Sequence, residues 1–365
     1  MEFQFAAPLV LAHLHSKNRV IRSATHSFLP DQDGYMTDAE YAMYEQLASH
    51  DVGMIITGHC CVDPLGRANP EQVNIYDDGY AAQFRKAVAI CHEHGALFVP
   101  QISHAGPRAV DNDDLADVVA RPLKKGHEAR ALTVAEIQHI EQMFVAAAVR
   151  LQRAGVDGVQ LHAAHSYLLS RFIDPYFNQR TDAYGGSIEN RFRMTEEIVK
   201  GIKAACGEDF PVLIKVNCDT RAEDTAAYEA DMVWLLQRCH EIGVELVEFS
   251  GADFIRLPKD RTLYYLDIVK RYKQAVPEMP VSLVGGARSA ADMEQVLASG
   301  IEAISLARPL IAEPDFVSKQ LVGGEKSICV SCNRCFALPH MHPGVRCVWA
   351  WKRLRAQQKA QRQKA

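Results

Sequence analysis

Eight short apolar runs, separated by longer amphipathic stretches, limit the folds open to this chain more than any other feature. They are VIRSAT (20–25), GMIITGHC (53–60), ALFVPQIS (96–103), GVQLHAA (158–164), VLIKVN (212–217), LVEFSG (246–251), VSLVGG (281–286) and AISLAR (303–308). Each is nearly continuous in hydrophobicity, as parallel strands covered on both faces are. Between them, segments such as DDGYAAQFRKAVAICHEHG (77–95), LTVAEIQHIEQMFVAAAVRLQRAG (132–155) and ADMEQVLASG (291–300) carry helical patterns that close on Gly, a stop signal. Eight strand–helix units predict a closed (β/α)8 TIM barrel. No GxGxxG follows an early strand, which counts against a doubly wound sheet.

The barrel places chemistry at the C-terminal ends of its strands, and these ends are unusually polar. They read Ser23-Ala24-Thr25-His26, Gly58-His59-Cys60, Gln101-Ile102-Ser103-His104, His162-Ala163-Ala164-His165, Lys215-Val216-Asn217, Gly285-Gly286 and Ala307-Arg308. Any one of them would pass for a loop; polar groups at nearly every end do not. The last two ends fall where such barrels bind phosphate, through bare backbone N–H groups and an Arg. HAAHSYLLSRF (162–172) sets two imidazoles and Tyr167 beside one strand end. Two imidazole N–H donors can converge on an oxyanion while a phenol delivers a proton nearby.

At 365 residues, 48% hydrophobic and 23% charged, the chain suits one large barrel with a full core. A net charge of −5 with no basic face excludes nucleic acid as an expected partner. Glu2 precedes the N-terminal apolar run, and no run reaches eighteen apolar residues. No signal peptide or membrane span is expected. A cytoplasmic, reducing compartment is, which counts against disulfides. Six of the ten cysteines (60, 61, 91, 206, 218, 239) are scattered in apolar surroundings as small core residues. The other four, Cys329, Cys332, Cys335 and Cys347, stand together in CVSCNRCFALPHMHPGVRC (329–347). A C-x2-C-x2-C run with a distant fourth thiol suits an iron–sulfur cluster, a zinc tetrathiolate or an empty vestige. His340 and His342 in the same stretch are expected to face solvent. The basic tail KRLRAQQKAQRQKA (352–365) reads as a solvated helix, or else as a docking surface for an acidic electron-transfer partner.

From about residue 5 to 322 the chain closely resembles the Old Yellow Enzyme family of FMN-dependent oxidoreductases. The anchors are LHSKNRVIRSAT, GMIITGHCCVDPLGR, PQISHAGP, HAAHSYLLSRF, RTDAYGGSIENR, VGGARS and SLARPLIAEPDF. The resemblance implies FMN across the strand ends, with Ala24, Thr25, Gly58 and Gln101 along the flavin and Gly286, Ala307 and Arg308 on its phosphate. It implies that His162 and His165 bind the substrate oxygen and that Tyr167 donates the proton. Hydride from the flavin would reduce an activated C=C bond of an unsaturated carbonyl compound, with NADH or NADPH as a possible donor. Many members carry Arg where this chain has Lys215, a point charge without the bidentate fork. The four cysteines resemble the [4Fe–4S] motif of a subgroup, the 2,4-dienoyl-CoA reductases and trimethylamine dehydrogenases, in which a further flavin domain normally follows. This implies a barrel over 1–322, a cluster-binding segment over 323–365, an electron-transfer partner and a homo-oligomer. A dienoyl-CoA reductase is the alternative within the class, weakened by Asp253 and Phe254 in GADFIRLP, where those enzymes place a His. A flavin and iron–sulfur subunit without its own substrate is the alternative outside it. Amine oxidation is disfavoured, since amine dehydrogenases place Tyr where this chain has His162.

Overall fold

The computed structural model describes residues 3–364 except 111, 124, 125, 254–256, 258–260 and 337–342, and beyond residue 356 the backbone alone. His340, His342 and Phe254 lie outside the described residues. The apolar runs are the strands of a closed barrel: β1 (Val20–Arg22), β2 (Met54–Cys61), β3 (Leu97–Ser103), β4 (Val159–Ala163), β5 (Val212–Asn217), β6 (Leu246–Ser250), β7 (Val281–Val284) and β8 (Ala303–Leu306). Sequential strands are neighbours and β8 closes on β1, all in parallel.

The surrounding helices follow from local sequence. Among them the helix Val134–Arg153 starts at Thr133, whose hydroxyl accepts from the Glu136 N–H while Glu136 accepts from the Thr133 N–H. Such a reciprocal cap satisfies two otherwise orphaned donors. Ile137, Ile140, Phe144, Ala147, Ala148 and Leu151 then fall on one buried face. Gly155, at φ 86°, ends the helix in the left-handed region that a side chain would disfavour.

Side chains alternate along a strand, so every second residue points into the barrel. Leu9, Leu11 and Leu14, from the hairpin that pairs Leu9–Val10 with His15–Ser16, pack with Ile21, Met54, Val99, Leu213 and Leu246 into one apolar plug. Two residues further along their strands stand Ser23, Gln101, Lys215 and Glu248, and here the interior turns polar. Register sets Lys215 beside His162 on β4 and Glu248 on β6. The barrel is therefore oily at its base and polar towards the strand C-termini.

After β8, two short helices (Arg308–Ala312 and Phe316–Leu321) lead into a segment that folds back over the strand ends. The Ser327 N–H donates to Arg288 O at 2.8 Å, the Ile328 N–H to Glu313 Oε2 at 2.8 Å, and the Val345 N–H to Ser27 O at 2.7 Å. The basic tail lies in a helix, Val348–Lys364. Among the described residues no helix is long and apolar enough to cross a membrane.

Candidate active site

Past β4 the chain turns through His165 and Ser166 at φ 60° and 62°, a left-handed pair that residues with side chains rarely adopt. The turn is held from both sides. The His165 N–H donates to Asn217 Oδ1 at 3.0 Å, and Arg108 Nη1 donates to the His165 carbonyl at 2.8 Å. The His165 ring thereby lies 5.3 Å from that of His162, and the Tyr167 ring lies 4.7 Å from it. Burial, and then the neighbouring His165, His59 and Lys215, holds His162 far below the usual imidazole range; burial, Lys215 and Arg108 do the same to His165. Both are neutral N–H donors at physiological pH. His165 Nε2 shares a hydrogen bond with Ser250 Oγ at 2.9 Å, whereas His162 Nδ1 is buried with no partner among the described residues. Burial raises the Tyr167 phenol, and the Arg108 guanidinium, 5.3 Å from its ring centre, opposes that rise.

Beneath this trio lies a polar floor. Gln101 Nε2 donates to Gln160 Oε1 at 2.7 Å, and Gln160 Nε2 donates to Glu248 Oε2 at 2.8 Å. Lys215, only 2% exposed, donates to Ser23 Oγ at 2.7 Å and stands 3.7 Å from Glu248. Ala24 and Thr25 follow β1, and Thr25 O accepts from Arg22 Nη2 at 3.0 Å. A Cβ on Gly58 would come within 3.2 Å of that same carbonyl, so β2 approaches the β1 loop closely because residue 58 has no side chain.

On the opposite side, Gly285, Gly286, Ala307 and Arg308 line a cavity of about 30 Å³ with Cys329 and Ser331. Gly286 sits at φ 90°, and a Cβ there would lie 2.8 Å from the Leu263 nitrogen and 2.9 Å from the Tyr264 ring. The Tyr264 and Tyr265 hydroxyls are buried without partners among the described residues. Arg308 Nη1 donates to Asn333 Oδ1 at 2.7 Å, tying this corner to the cysteine segment. Cys329, Cys332, Cys335 and Cys347 all line one cavity of about 20 Å³ beside Arg308. Ser331 and Asn333 between them are left-handed, at φ 53° and 58°, so the loop wraps around the thiols. Burial raises Cys335 to about 11, the state of a protonated thiol. Among the described residues, no three potential ligands stand close enough together to hold a metal ion.

His59 is visible in the sequence only as a strand-end residue without a role. Its ring lies 5.2 Å from that of Tyr167 and 6.1 Å from that of His162. Gln72, Gln160 and Glu248 carry no signal in the sequence: Gln72 sits in a loop, and the other two hide inside apolar runs whose inward face the strand pattern alone does not mark.

Unpartnered polar atoms stand on both sides of a polar floor that holds the Lys215–Glu248 pair, an arrangement suited to a bound cofactor. Residues 5–325 match the NADH:flavin oxidoreductase / NADH oxidase family, and the chain belongs to it. This is the Old Yellow Enzyme type of barrel, a family of FMN-dependent oxidoreductases that use NADH or NADPH. The chain is 32% identical to an NADH oxidase of Thermoanaerobacter brockii, covering 88% of this chain and 52% of that protein. It is 28% identical to an NADPH dehydrogenase of Halalkalibacterium halodurans, covering 88% of this chain and 92% of that one. The fold matches that of histamine dehydrogenase from Rhizobium sp. 4-9 with a TM-score of 0.83 at 23% identity, over 94% of this chain and 52% of the other. The chain thus spans about half the length of the first and third of these and most of the second.

The residues present fit FMN. The Tyr264 and Tyr265 hydroxyls are buried without partners among the described residues, Lys215 is a buried amine in the floor, and Gly286 leaves a corner that a Cβ would fill.

Proposed function

We propose that the protein is an FMN-dependent ene-reductase, reducing the activated C=C bond of a small α,β-unsaturated carbonyl compound with electrons from NADH or NADPH. The carrying observation is the convergence of two neutral imidazoles and a phenol above a buried lysine. Ala24, Thr25, Gly58, Gln101 and Lys215 would hold the flavin ring, and Gly286, Ala307 and Arg308 its phosphate. Bound FMN would supply the hydride that reaches the substrate β-carbon. His162 and His165 would hold the carbonyl oxygen and stabilise the charge that develops there, about 3–4 kcal/mol for one well-placed donor. Tyr167 would give its proton to the α-carbon, completing addition of H⁻ and H⁺ across the double bond. Lys215 would favour negative charge on the neighbouring edge of the ring, as a point charge rather than a fork. In the same reading residues 1–322 form the flavin barrel. Residues 323–365 would hold a [4Fe–4S] cluster on Cys329, Cys332, Cys335 and Cys347, fed by an electron-transfer partner.

Anaerobic stopped-flow on each half-reaction tests the core of this reading. Tyr167→Phe should slow reduction of an enone by about 10²–10⁴-fold, the usual contribution of a positioned acid. Flavin reduction by the nicotinamide should fall far less. An unaltered enone step would remove Tyr167 as the acid.

A further inference from the structure

One half-buried imidazole beside the trio has no part in the scheme above. Tyr167 Oη lies 3.4 Å from His59 Nε2, and the other ring nitrogen, His59 Nδ1, lies 2.7 Å from Gln72 Nε2. The Gln72 amide cannot be the other way round, because its Oε1 accepts from the Ala68 backbone N–H at 2.6 Å. The Ala68 nitrogen is a donor only, so Gln72 presents NH₂ to the histidine. His59 Nδ1 therefore accepts. The ring is kept neutral by burial and by His26, Arg108 and His165 around it. A neutral imidazole carries one hydrogen, and with Nδ1 accepting that hydrogen sits on Nε2, facing Tyr167. Gln72 is itself fully buried, and its NH₂ also reaches His59 O at 3.1 Å and Ser103 Oγ at 3.3 Å.

We propose that His59 is a positioning residue for proton transfer. Its Nε2–H donates to the Tyr167 oxygen, which turns the hydroxyl hydrogen towards the substrate and holds the negative charge once that hydrogen has left. The step balances simply. The Tyr167 O–H bond breaks, a C–H bond forms at the substrate α-carbon, and the phenolate regains its proton from solvent after product leaves. His59 gives up no proton and stays neutral. The 3.4 Å separation is long for a neutral pair and should contract when the oxygen becomes anionic. Gln72 acts one link further out, fixing the tautomer. The inference rests on reading Tyr167 as the acid.

The test reads the phenol directly. Difluorotyrosine in place of Tyr167 titrates within the protein's stable pH range and is followed by its fluorine resonance in the FMN-loaded protein. His59→Ala should raise the pKa of that phenol by about 1–2, the size expected for losing one hydrogen bond to a charged oxygen. His59→Gln, whose amide N–H can reach the same oxygen, should restore most of the shift, and Gln72→Leu should produce part of it. The enone half-reaction of His59→Ala should slow by about tenfold or more, with flavin absorbance retained as evidence of folding. An unchanged or lowered phenol pKa in His59→Ala overturns the proposal whatever the kinetics. A normal enone step in Tyr167→Phe would instead overturn the acid reading beneath it, even if the fluorine titration still moved.

Discussion

His162 and His165 differ in what already occupies them, and the difference sets their expected roles. His165 is anchored to Ser250 through Nε2, while His162 keeps a buried ring nitrogen without a partner. A buried donor left unsatisfied is costly, so a ligand oxygen that accepts from it should bind well. Phenols, whose oxygen resembles the enolate, should lose affinity in both His162→Ala and His165→Ala, most in the first. Spectral titration of the bound flavin measures this, and undiminished phenol affinity in both variants would end the paired-donor assignment. Arg308 carries the corresponding expectation at the other side of the site. Its removal by Arg308→Ala should weaken FMN retention by about 1.5–3 kcal/mol, the worth of a charge-assisted hydrogen bond, read as the Kd for FMN. All three residues were visible in the sequence as strand-end polar groups. His59 was visible too but not interpretable, since nothing in GMIITGHC reveals that Gln72, thirteen residues on, faces its ring.

At the scale of elements, the cysteine loop behaves as part of the barrel mouth. Asn333 accepts from Arg308, Glu313 takes the Ser327 hydroxyl and the Ile328 N–H, and Ser27 accepts from Val345. Thiolate ligation would convert the protonated, buried Cys335 into an anion, which only a bound metal or cluster makes favourable there. If the cysteine spacing marks a cluster site, anaerobically prepared protein should contain about four iron and four sulfide per chain, with Cys332→Ser lacking both. One zinc and no iron would make the loop a structural clasp, and no metal would make it a relic. The spacing of the thiols was legible at once. Their shared contact with the phosphate corner was not, because it depends on the return path of residues 323–347 across strand ends far away in sequence.

For the whole molecule, the outer helical layer carries a pH dependence unrelated to the site. Glu141 on the Val134–Arg153 helix, paired with Glu197 and near Tyr184, is raised to about 8 by burial and by the neighbouring carboxylate. A carboxyl whose folded pKa exceeds its unfolded value gives stability fully present below about 4.5 and lost as pH climbs towards 8. Urea midpoints should therefore fall between pH 5 and 8.5 by more in the natural protein than in Glu141→Gln, and an equal fall in both would discount the pair. The eight apolar runs, the helical patterns and the glycine stops determined the barrel from the sequence alone, because strand burial, helical periodicity and helix termination are local properties of a chain. The strand-end polar residues likewise followed, since parallel barrels expose only those ends to chemistry. Tertiary structure alone decided which inward positions meet: Gln160 and Glu248, buried in runs that read as plain core, joined to Gln101 and Lys215 across four strands. It also decided that Gln72 fixes the His59 tautomer and that Asn333 reaches Arg308. Those contacts are set by strand register and by loop paths, and neither is written in the periodicity of a single segment.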